Sequence, residues 1–598
     1  MCGIAGIISN NAANYQQEIK RMTDSLIHRG PDASDFEFYD NAILGHRRLS
    51  IIDLSENGKQ PMFSNTKNEC IVLNGEIYGY LDLKRQYAEY PYHGGSDTEV
   101  ILAMYQRKQQ NLIHDLPGMF AFAIWDDREQ QLFSARDRFG EKPFYYAIGN
   151  NNEFIFASEI KAILASGLIH PKVNPEAISN YLQYGYVSTY QSIYSNIYTL
   201  PPAHQLIWKD GKITVSRYYS LPSKDRVISL SDAKEEFLYL LKNAVKKQLI
   251  ADVQVGSFLS GGLDSSSIVA LVDEFLPHQT TISFGYDHKD SELKYAKEIA
   301  EKYNTNHIEV HEQKKDLAES LLHVSPFFDE PFADTSYLPH YEICKNARKN
   351  LTVTLSGDVG DELFGGYHFY TVENMMKNHF SYKNLIAKFG LNLYKKAKTV
   401  SFVTQQNLKY DSILDFHLNS VRNVFNKSER SLLGCSTDYQ QGYSFTPNPD
   451  SLNDIMRVDL ENYVPGNMMV KSDRMAMANS LEIRTPFLDV DFAEFCIQLP
   501  DQLKITNEND KIILRESMNN YWTDTIRKRH KQGFGLSVKN WFDEENLIKL
   551  SNDLLKDSSQ KVFNYIDFDI TQKFLNKDHK HWNLLQLALW AHNNKSVL

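Results

Sequence analysis

No segment of this chain approaches the run of about 18 uncharged apolar residues that a membrane span requires, so none is expected to cross a bilayer. Positive charge is in deficit. The chain has 64 Lys and Arg against 75 Asp and Glu, a formal charge of −11, and no long basic run, which argues against a nucleic-acid partner. Cysteine is scarce, with five widely spaced residues: Cys2, Cys70, Cys344, Cys435 and Cys496. The odd count and the spacing exclude a disulfide framework and a thiolate metal site, and a reducing cytoplasm is the expected compartment. A secretory leader is not expected, since the apolar stretch Ile4–Ile8 has no basic region before it. What is present is 598 residues, 42% hydrophobic and 23% charged, too long for a single core.

The texture changes along the chain. Over the first part, Ile4–Ile8, Ala42–Leu44, Cys70–Leu73, Ala121–Trp125, Gln131–Ala135, Phe144–Ala147 and Phe154–Ala157 read as strands bounded by turn residues. Helical patterns interrupt them at Tyr15–Ile27 and Asp97–Gln106. Turn chemistry from Leu200-Pro201-Pro202 to Asp210-Gly211 marks a seam. From about Ser231, strands at Val253–Leu259, Thr280–Phe284, Ile308–Val310 and Leu351–Leu355 alternate with helices, the pattern of a parallel α/β sheet. Residues 370–450 and the part from Leu452 onward read as mainly helical.

Cys2 follows the initiator directly. If Met1 is trimmed, this residue carries both a thiol and an α-amine of pKa near ~8 that can take the thiol proton. The segment Phe258-Leu259-Ser260-Gly261-Gly262-Leu263-Asp264-Ser265-Ser266 sits where a strand ends and a helix begins. Its glycines admit close backbone approach, and amides at a helix start suit phosphate oxygens. Asp264 can reach phosphates only through a cation such as Mg²⁺. No Gly-Lys-Ser/Thr follows, so this is not a Walker loop; it resembles the pyrophosphate loop of ATP-pyrophosphatases. A second loop, Ser356-Gly357-Asp358-Val359-Gly360-Asp361-Glu362, crowds acids among glycines, which calls for cations. Asp361 and Asp264 form the expected Mg²⁺ pair, and Asp358 is placed to assist carboxylate activation or to accept an amine proton.

Further motifs join these: His28-Arg29-Gly30-Pro31-Asp32, Gly45-His46-Arg47-Arg48, Asn74-Gly75-Glu76-Ile77-Tyr78, Ser96-Asp97-Thr98-Glu99, Arg136-Asp137-Arg138, Lys471-Ser472-Asp473-Arg474-Met475 and Leu481-Glu482-Ile483-Arg484-Thr485. In this order, over nearly the whole chain, they resemble glutamine-hydrolysing asparagine synthetases. The resemblance implies a four-layer αββα N-terminal-nucleophile glutaminase domain at 1–210. It implies a parallel-sheet α/β ATP-pyrophosphatase domain with a helical C-terminal part at 211–598. It implies Cys2 as nucleophile, Asn74 and Gly75 as oxyanion hole, Arg48 on the glutamine α-carboxylate, and Glu76 and Asp97 on its α-ammonium. Leu259, Ser260, Gly261, Gly262, Asp264, Ser265, Ser266, Phe284, Ser356 and Gly357 would hold ATP, and Lys531 would stabilise the acyl-adenylate transition state. A homodimer is implied as well.

Two positions depart from the family pattern. Gly79 replaces an asparagine, and Val359 replaces a small residue in the acidic loop, whose geometry is expected to differ because a β-branched residue resists positive φ. The expected reaction is glutamine hydrolysis at Cys2, then adenylation of aspartate by ATP and amidation by the released ammonia. The alternative acceptor is another carboxylate, such as a polysaccharide uronic acid or a cell-wall precursor. A non-catalytic paralogue is the remaining alternative. Glutaminases fused to phosphoribosyl or sugar isomerase modules are disfavoured by the Ser260–Ser266 loop.

Overall fold

The structure, a computed structural model, describes residues 2–285, 292–311, 316–376, 410–435, 451–529, 538–576 and 578–597. Along Gly3–Ile8 (β1), Ile4 and Ile8 point to one side and Ala5 and Ile7 to the other, and all four are fully buried. The strand therefore lies between two apolar layers. Eleven more strands surround it among the described residues up to 217. They are β2 Ala33–Phe38, β3 Ala42–Arg48, β4 Met62–Phe63, β5 Glu69–Glu76, β6 Met119–Asp126, β7 Gln131–Arg136, β8 Tyr145–Ile148, β9 Phe154–Ala157, β10 Ile197–Thr199, β11 His204–Lys209 and β12 Lys212–Arg217.

They form two six-stranded sheets, ordered β10-β8-β9-β1-β3-β2 and β12-β11-β7-β6-β5-β4. Ile4, Leu44 and Phe156 of the first sheet meet Val72, Ala121 and Trp125 of the second in one core. The other face of the first sheet, with Ile7 and Ile43, is covered by Ile19 and Met22 of the helix Gln16–Asp24. The other face of the second, with Ile71 and Phe122, is covered by Ile101 and Met104 of the helix Asp97–Lys108. The result is the expected αββα stack. The expected seam at 210 falls between β11 and β12, which pair as a hairpin within the second sheet.

Beyond 217, Val255–Phe258 (β13), Thr280–Gly285 (β14), Asn306–His311 (β15), Val353–Leu355 (β16) and Glu482–Arg484 (β17) make a parallel sheet, ordered β15-β14-β13-β16-β17. The chain builds outward from β13 to one side and then returns to the other. β13 and β16 thus flank the switch point, where loops leaving the strand ends open a crevice. Of the stretch 370–450 expected to be helical, 377–409 and 436–450 lie outside the described residues; the remainder includes short helices at Ile413–Phe416 and Lys427–Leu432. No helix among the described residues is long and apolar enough to cross a membrane.

The two halves are joined by buried charge. Arg29 donates to Asp473 with both terminal nitrogens at 2.8 Å and to Glu159 at 2.8 Å. Arg474 reaches Glu159 at 2.6 Å and Asp329 at 3.1 Å. Asp473→Ala strips Arg29 of its bidentate partner inside the protein, so a stability loss of about 3–5 kcal/mol is expected, read as a lowered midpoint of thermal unfolding. A second buried cluster backs the acidic loop. His417 contacts Glu373 at 2.8 Å and Asp459 at 3.0 Å, and Asp459 also accepts from Arg422 and Tyr370. Burial alone would lower the His417 pKa, but Asp459 and Glu373 outweigh it and hold the ring charged, at about 9. A group raised in this way stabilises fully below its ordinary value of 6.5 and loses that contribution as pH climbs through 9. Thermal unfolding measured across pH 6.5–9 is expected to move to lower temperature, with a flatter profile in His417→Asn.

Candidate functional site

The first site lies at the edge of the two-sheet stack. Cys2, the residue before β1, is 7% exposed, and its Sγ lies 4.0 Å from the carbonyl of Leu49. Burial pushes the thiol pKa up, so a base is needed to generate the thiolate. The Cys2 backbone nitrogen donates to Oδ1 of Asn74 at 3.1 Å, which turns the other end of that amide away. Nδ2 of Asn74 is fully buried with no hydrogen-bond partner. An orphaned donor costs about 1–3 kcal/mol unless something arrives to accept from it, and a developing oxyanion is such an acceptor.

Asn-Gly is the commonest hairpin-turn dipeptide, yet Asn74 and Gly75 lie inside β5, paired to Ala121 and Phe120 of β6. Gly75 has φ +155°, and a Cβ there would sit 2.1 Å from the Met119 carbonyl, so only glycine fits. Arg48, Glu76 and Asp97 line the same cavity as Cys2 and Gly75. The Arg48 guanidinium is held by the carbonyls of Ser55 at 3.1 Å, Ile52 at 3.4 Å and Asp53. Glu76 and Asp97 are both pushed up by burial, and Asp97 raises Glu76 further. Two buried carboxylates and a guanidinium lining one cavity suit an amino-acid head group. Gly79 does not line this cavity; it has φ +71° before the helix Tyr80–Gln86, a conformation glycine and asparagine both adopt readily. Asn74→Ala is expected to lower kcat for cleavage of any amide attacked at Cys2 by roughly 10²–10³-fold with a small change in KM, measured by ammonia release.

The second site is the crevice at the β13/β16 switch point, a cavity of about 340 Å³. The loop after β13 runs into the helix Leu263–Asp273, with Ser260 Oγ 3.0 Å from Ser265 Oγ and the Gly262 N–H donating to Ser260 Oγ at 3.3 Å. The loop after β16 is pressed against it. A Cβ on Gly357 would lie 2.7 Å from the Ser265 nitrogen, and one on Gly360 2.5 Å from Oδ1 of Asp264. Glycine at both positions therefore brings Asp264 and Asp361 together. Leu259, Ser260, Gly262, Asp264, Ser265, Phe284, Ser356, Gly357, Asp358 and Asp361 all line the crevice.

Gly261 and Ser266 do not line it. Gly261, at φ +69°, packs its backbone on Tyr295 and Ala296, and the Ser266 hydroxyl is buried without a partner in the helix. Val359 takes φ +72° in spite of its branched Cβ. The loop therefore keeps the left-handed turn that Val359 was expected to disturb, with strain of roughly 1–3 kcal/mol offset by burial of its side chain in the core. Lys531 lies outside the described residues.

Several residues of the crevice are not distinctive in the sequence. Lys511 Nζ sits 2.5 and 2.7 Å from the oxygens of Asp264 and 2.6 Å from Asp361. Burial opposes its charge, but the two carboxylates outweigh burial and hold its pKa well above the usual lysine value. Its position beside Ile512-Ile513-Leu514 reads only as the start of a helix, so no spacing rule singles it out. Asp334 and Lys471 form a 3.1 Å ion pair on the crevice wall, and Lys471 also donates to Ser336 Oγ at 2.8 Å. His340 stands beside them, lowered to about 4 by burial and therefore neutral.

Asp264 and Asp361 fit a divalent cation because both already converge on one positive centre, the Lys511 ammonium. No cluster of three or more candidate metal ligands occurs among the described residues, so Mg²⁺ there would rely on phosphate oxygens for the rest of its shell.

Residues 236–592 match the Asparagine synthase family and residues 1–219 the Glutamine amidotransferase domain. A Bacillus subtilis protein named asparagine synthetase [glutamine-hydrolyzing] 1 is 31% identical over 624 aligned residues, covering 99% of this chain and 96% of that one. A Methanocaldococcus jannaschii protein named putative asparagine synthetase [glutamine-hydrolyzing] 2 is 40% identical over 61% of this chain and 76% of its own. Among solved structures, a glutamine phosphoribosylpyrophosphate amidotransferase from B. subtilis aligns at 14% identity over 60% of this chain and 81% of that one. Its TM-score of 0.29 is too low to bear on the argument.

Proposed function

The chain belongs to the asparagine synthase family, and on that premise we propose that it transfers the amide nitrogen of glutamine to the β-carboxylate of aspartate at the expense of ATP. The units are proposed as a glutaminase through Arg217, which keeps β11 and β12 together, and a synthetase after it. With Met1 removed, the Cys2 amine takes the thiol proton and the sulfur attacks the glutamine amide carbon. Asn74 Nδ2 and the Gly75 N–H donate hydrogen bonds to the oxyanion, the amine returns its proton to the departing nitrogen so that ammonia leaves, and water hydrolyses the thioester.

In the crevice, Leu259 and Phe284 pack against the base, Ser260 and Ser265 bind the pyrophosphate, and Lys511 neutralises phosphate charge. Asp264 and Asp361 would hold Mg²⁺, which when bound supplies further neutralisation of the phosphate oxygens. A carboxylate oxygen attacks the α-phosphorus, pyrophosphate departs, and ammonia displaces AMP from the acyl carbon, with Asp358 placed to accept the amine proton. A small cavity between the halves, lined by residues including Lys142, Ser472 and Thr485, is the proposed path for ammonia.

The observation favouring aspartate over a uronic acid is the Asp334–Lys471 pair. Opposite charges side by side match the α-ammonium and α-carboxylate of an amino acid, whereas a sugar acid offers no cation for Asp334. Pyrophosphate release with ATP and ammonium, measured across aspartate, glucuronate and diaminopimelate, tests this. Release with aspartate alone is expected; release with glucuronate and none with aspartate would overturn it.

A further inference from the structure

The motif Leu481–Thr485 is used by neither half-reaction, yet Arg484 within it touches the surroundings of both sites. Arg484 ends β17 and is 1% exposed. Its carbonyl accepts from the N–H of Ser356 at 2.9 Å, which anchors the first residue of the acidic ATP loop. Its side chain runs toward the other half. Nε donates to Glu482 at 2.7 Å, and Nη1 to the carbonyls of Gln248 at 2.7 Å and Ile250 at 2.8 Å. Nη2 lies 3.6 Å from Oε1 of Glu76 in the Cys2 cavity and has no hydrogen-bond partner.

The Gln248–Ile250 segment continues this connection. Asp252, two residues on, donates from its N–H to the Ile51 carbonyl at 2.9 Å and accepts from the Asp53 N–H at 2.7 Å. Ile52 and Asp53 supply carbonyls that hold Arg48. One guanidinium therefore faces Glu76 directly and supports the Arg48 loop through its neighbours, while the same residue's backbone fixes the ATP loop.

We infer that Arg484 is a positioning residue coupling the glutamine pocket to the nucleotide crevice. It rests on the reading that glutamine binds at Cys2 and ATP at Ser260–Asp361. Without glutamine, Glu76 makes a loose ion pair with Nη2, just beyond hydrogen-bond length. An α-ammonium arriving at Glu76 competes for that carboxylate and changes what Arg484 is drawn toward. Because the Ser356 N–H hangs on the Arg484 carbonyl, the two loops share one residue, the nucleotide loop through its backbone and the glutamine pocket through its side chain. Linkage makes the effect reciprocal, so nucleotide must alter glutamine affinity by the factor that glutamine alters nucleotide affinity.

The test uses Cys2→Ala protein, which binds glutamine without consuming it. Glutamine affinity is measured by calorimetry with and without a non-hydrolysable ATP analogue. A shift of about fivefold or more is expected, shrinking to less than twofold in Cys2→Ala/Arg484→Gln. The Arg484→Lys version is expected to fall between, because an ammonium keeps the charge but cannot hold Glu482 and both carbonyls at once. Ammonium-dependent pyrophosphate release certifies that each variant is folded. Backbone hydrogen exchange at Ser356 in Cys2→Ala protein, with and without glutamine, needs no Arg484 variant, and a several-fold change is expected. An unchanged Ser356 amide, or a full affinity shift in a folded Arg484→Gln protein, would overturn the inference. A protein that binds no glutamine at all would instead overturn the function on which it rests.

Discussion

Cys2→Ala is expected to lower glutamine-dependent synthesis on the order of 10³-fold or more while leaving ammonium-dependent synthesis within about twofold of wild type. The asymmetry follows from the architecture. Cys2 sits beside β1, among groups that suit an amino-acid head, and the crevice proposed to adenylate the acceptor is built from a different sheet. Removing one sulfur deletes a covalent step outright, since water at neutral pH is a poor substitute nucleophile for a carboxamide. The nearest structural consequence is mild. The thiol makes one long contact, to the Leu49 carbonyl, and the Cys2–Asn74 bond runs through the backbone and survives the change. Glutamate release and pyrophosphate release, each measured with glutamine and with ammonium as donor, separate the two activities.

Lys511→Met should show the opposite pattern. Pyrophosphate release with either nitrogen donor is expected to fall roughly 10²–10³-fold, whereas glutamate release at Cys2 persists. Lys511 neutralises two carboxylates at 2.5–2.7 Å in the part of the crevice where the phosphates are proposed to bind. Methionine fills a similar volume without charge, leaving Asp264 and Asp361 to repel each other and the incoming phosphates. Arginine at this position would keep the charge, but its planar fork is longer and cannot place a point charge between the two acids. Only a small part of the lost activity is therefore expected to return in Lys511→Arg.

Strands with both faces covered announced themselves in the sequence, and the edge strands of the two N-terminal sheets did not. β1, β5, β6 and β9 carry continuous apolar runs because both of their faces are covered. β2, Ala-Ser-Asp-Phe-Glu-Phe, and β12, Lys-Ile-Thr-Val-Ser-Arg, lie at sheet edges with exposed polar residues and carry no clear apolar run, and the turn chemistry of Pro201–Gly211 conceals β11. Site residues divided in a similar way. Those in loops with unusual chemistry, such as Ser260–Ser266 and Ser356–Asp361, stood out because glycines and acids are costly to crowd without a reason. Lys511 and Asp334 carry ordinary residue types on ordinary elements. Their importance arises only when chain segments far apart in sequence meet, which no local spacing encodes. Val359 misled because its branched Cβ argued against a left-handed turn that core packing nonetheless imposes.

The central claim is that nitrogen released at Cys2 is delivered to a carboxylate activated in the crevice. Glutamine labelled with ¹⁵N in its amide, supplied with ATP, aspartate and an excess of unlabelled ammonium, tests it most directly. Asparagine carrying ¹⁵N in its side-chain amide, formed one for one with AMP and pyrophosphate and little diluted by the ammonium, is the predicted result. Unlabelled asparagine, or label recovered only as free ammonium while ATP yields ADP, would contradict it.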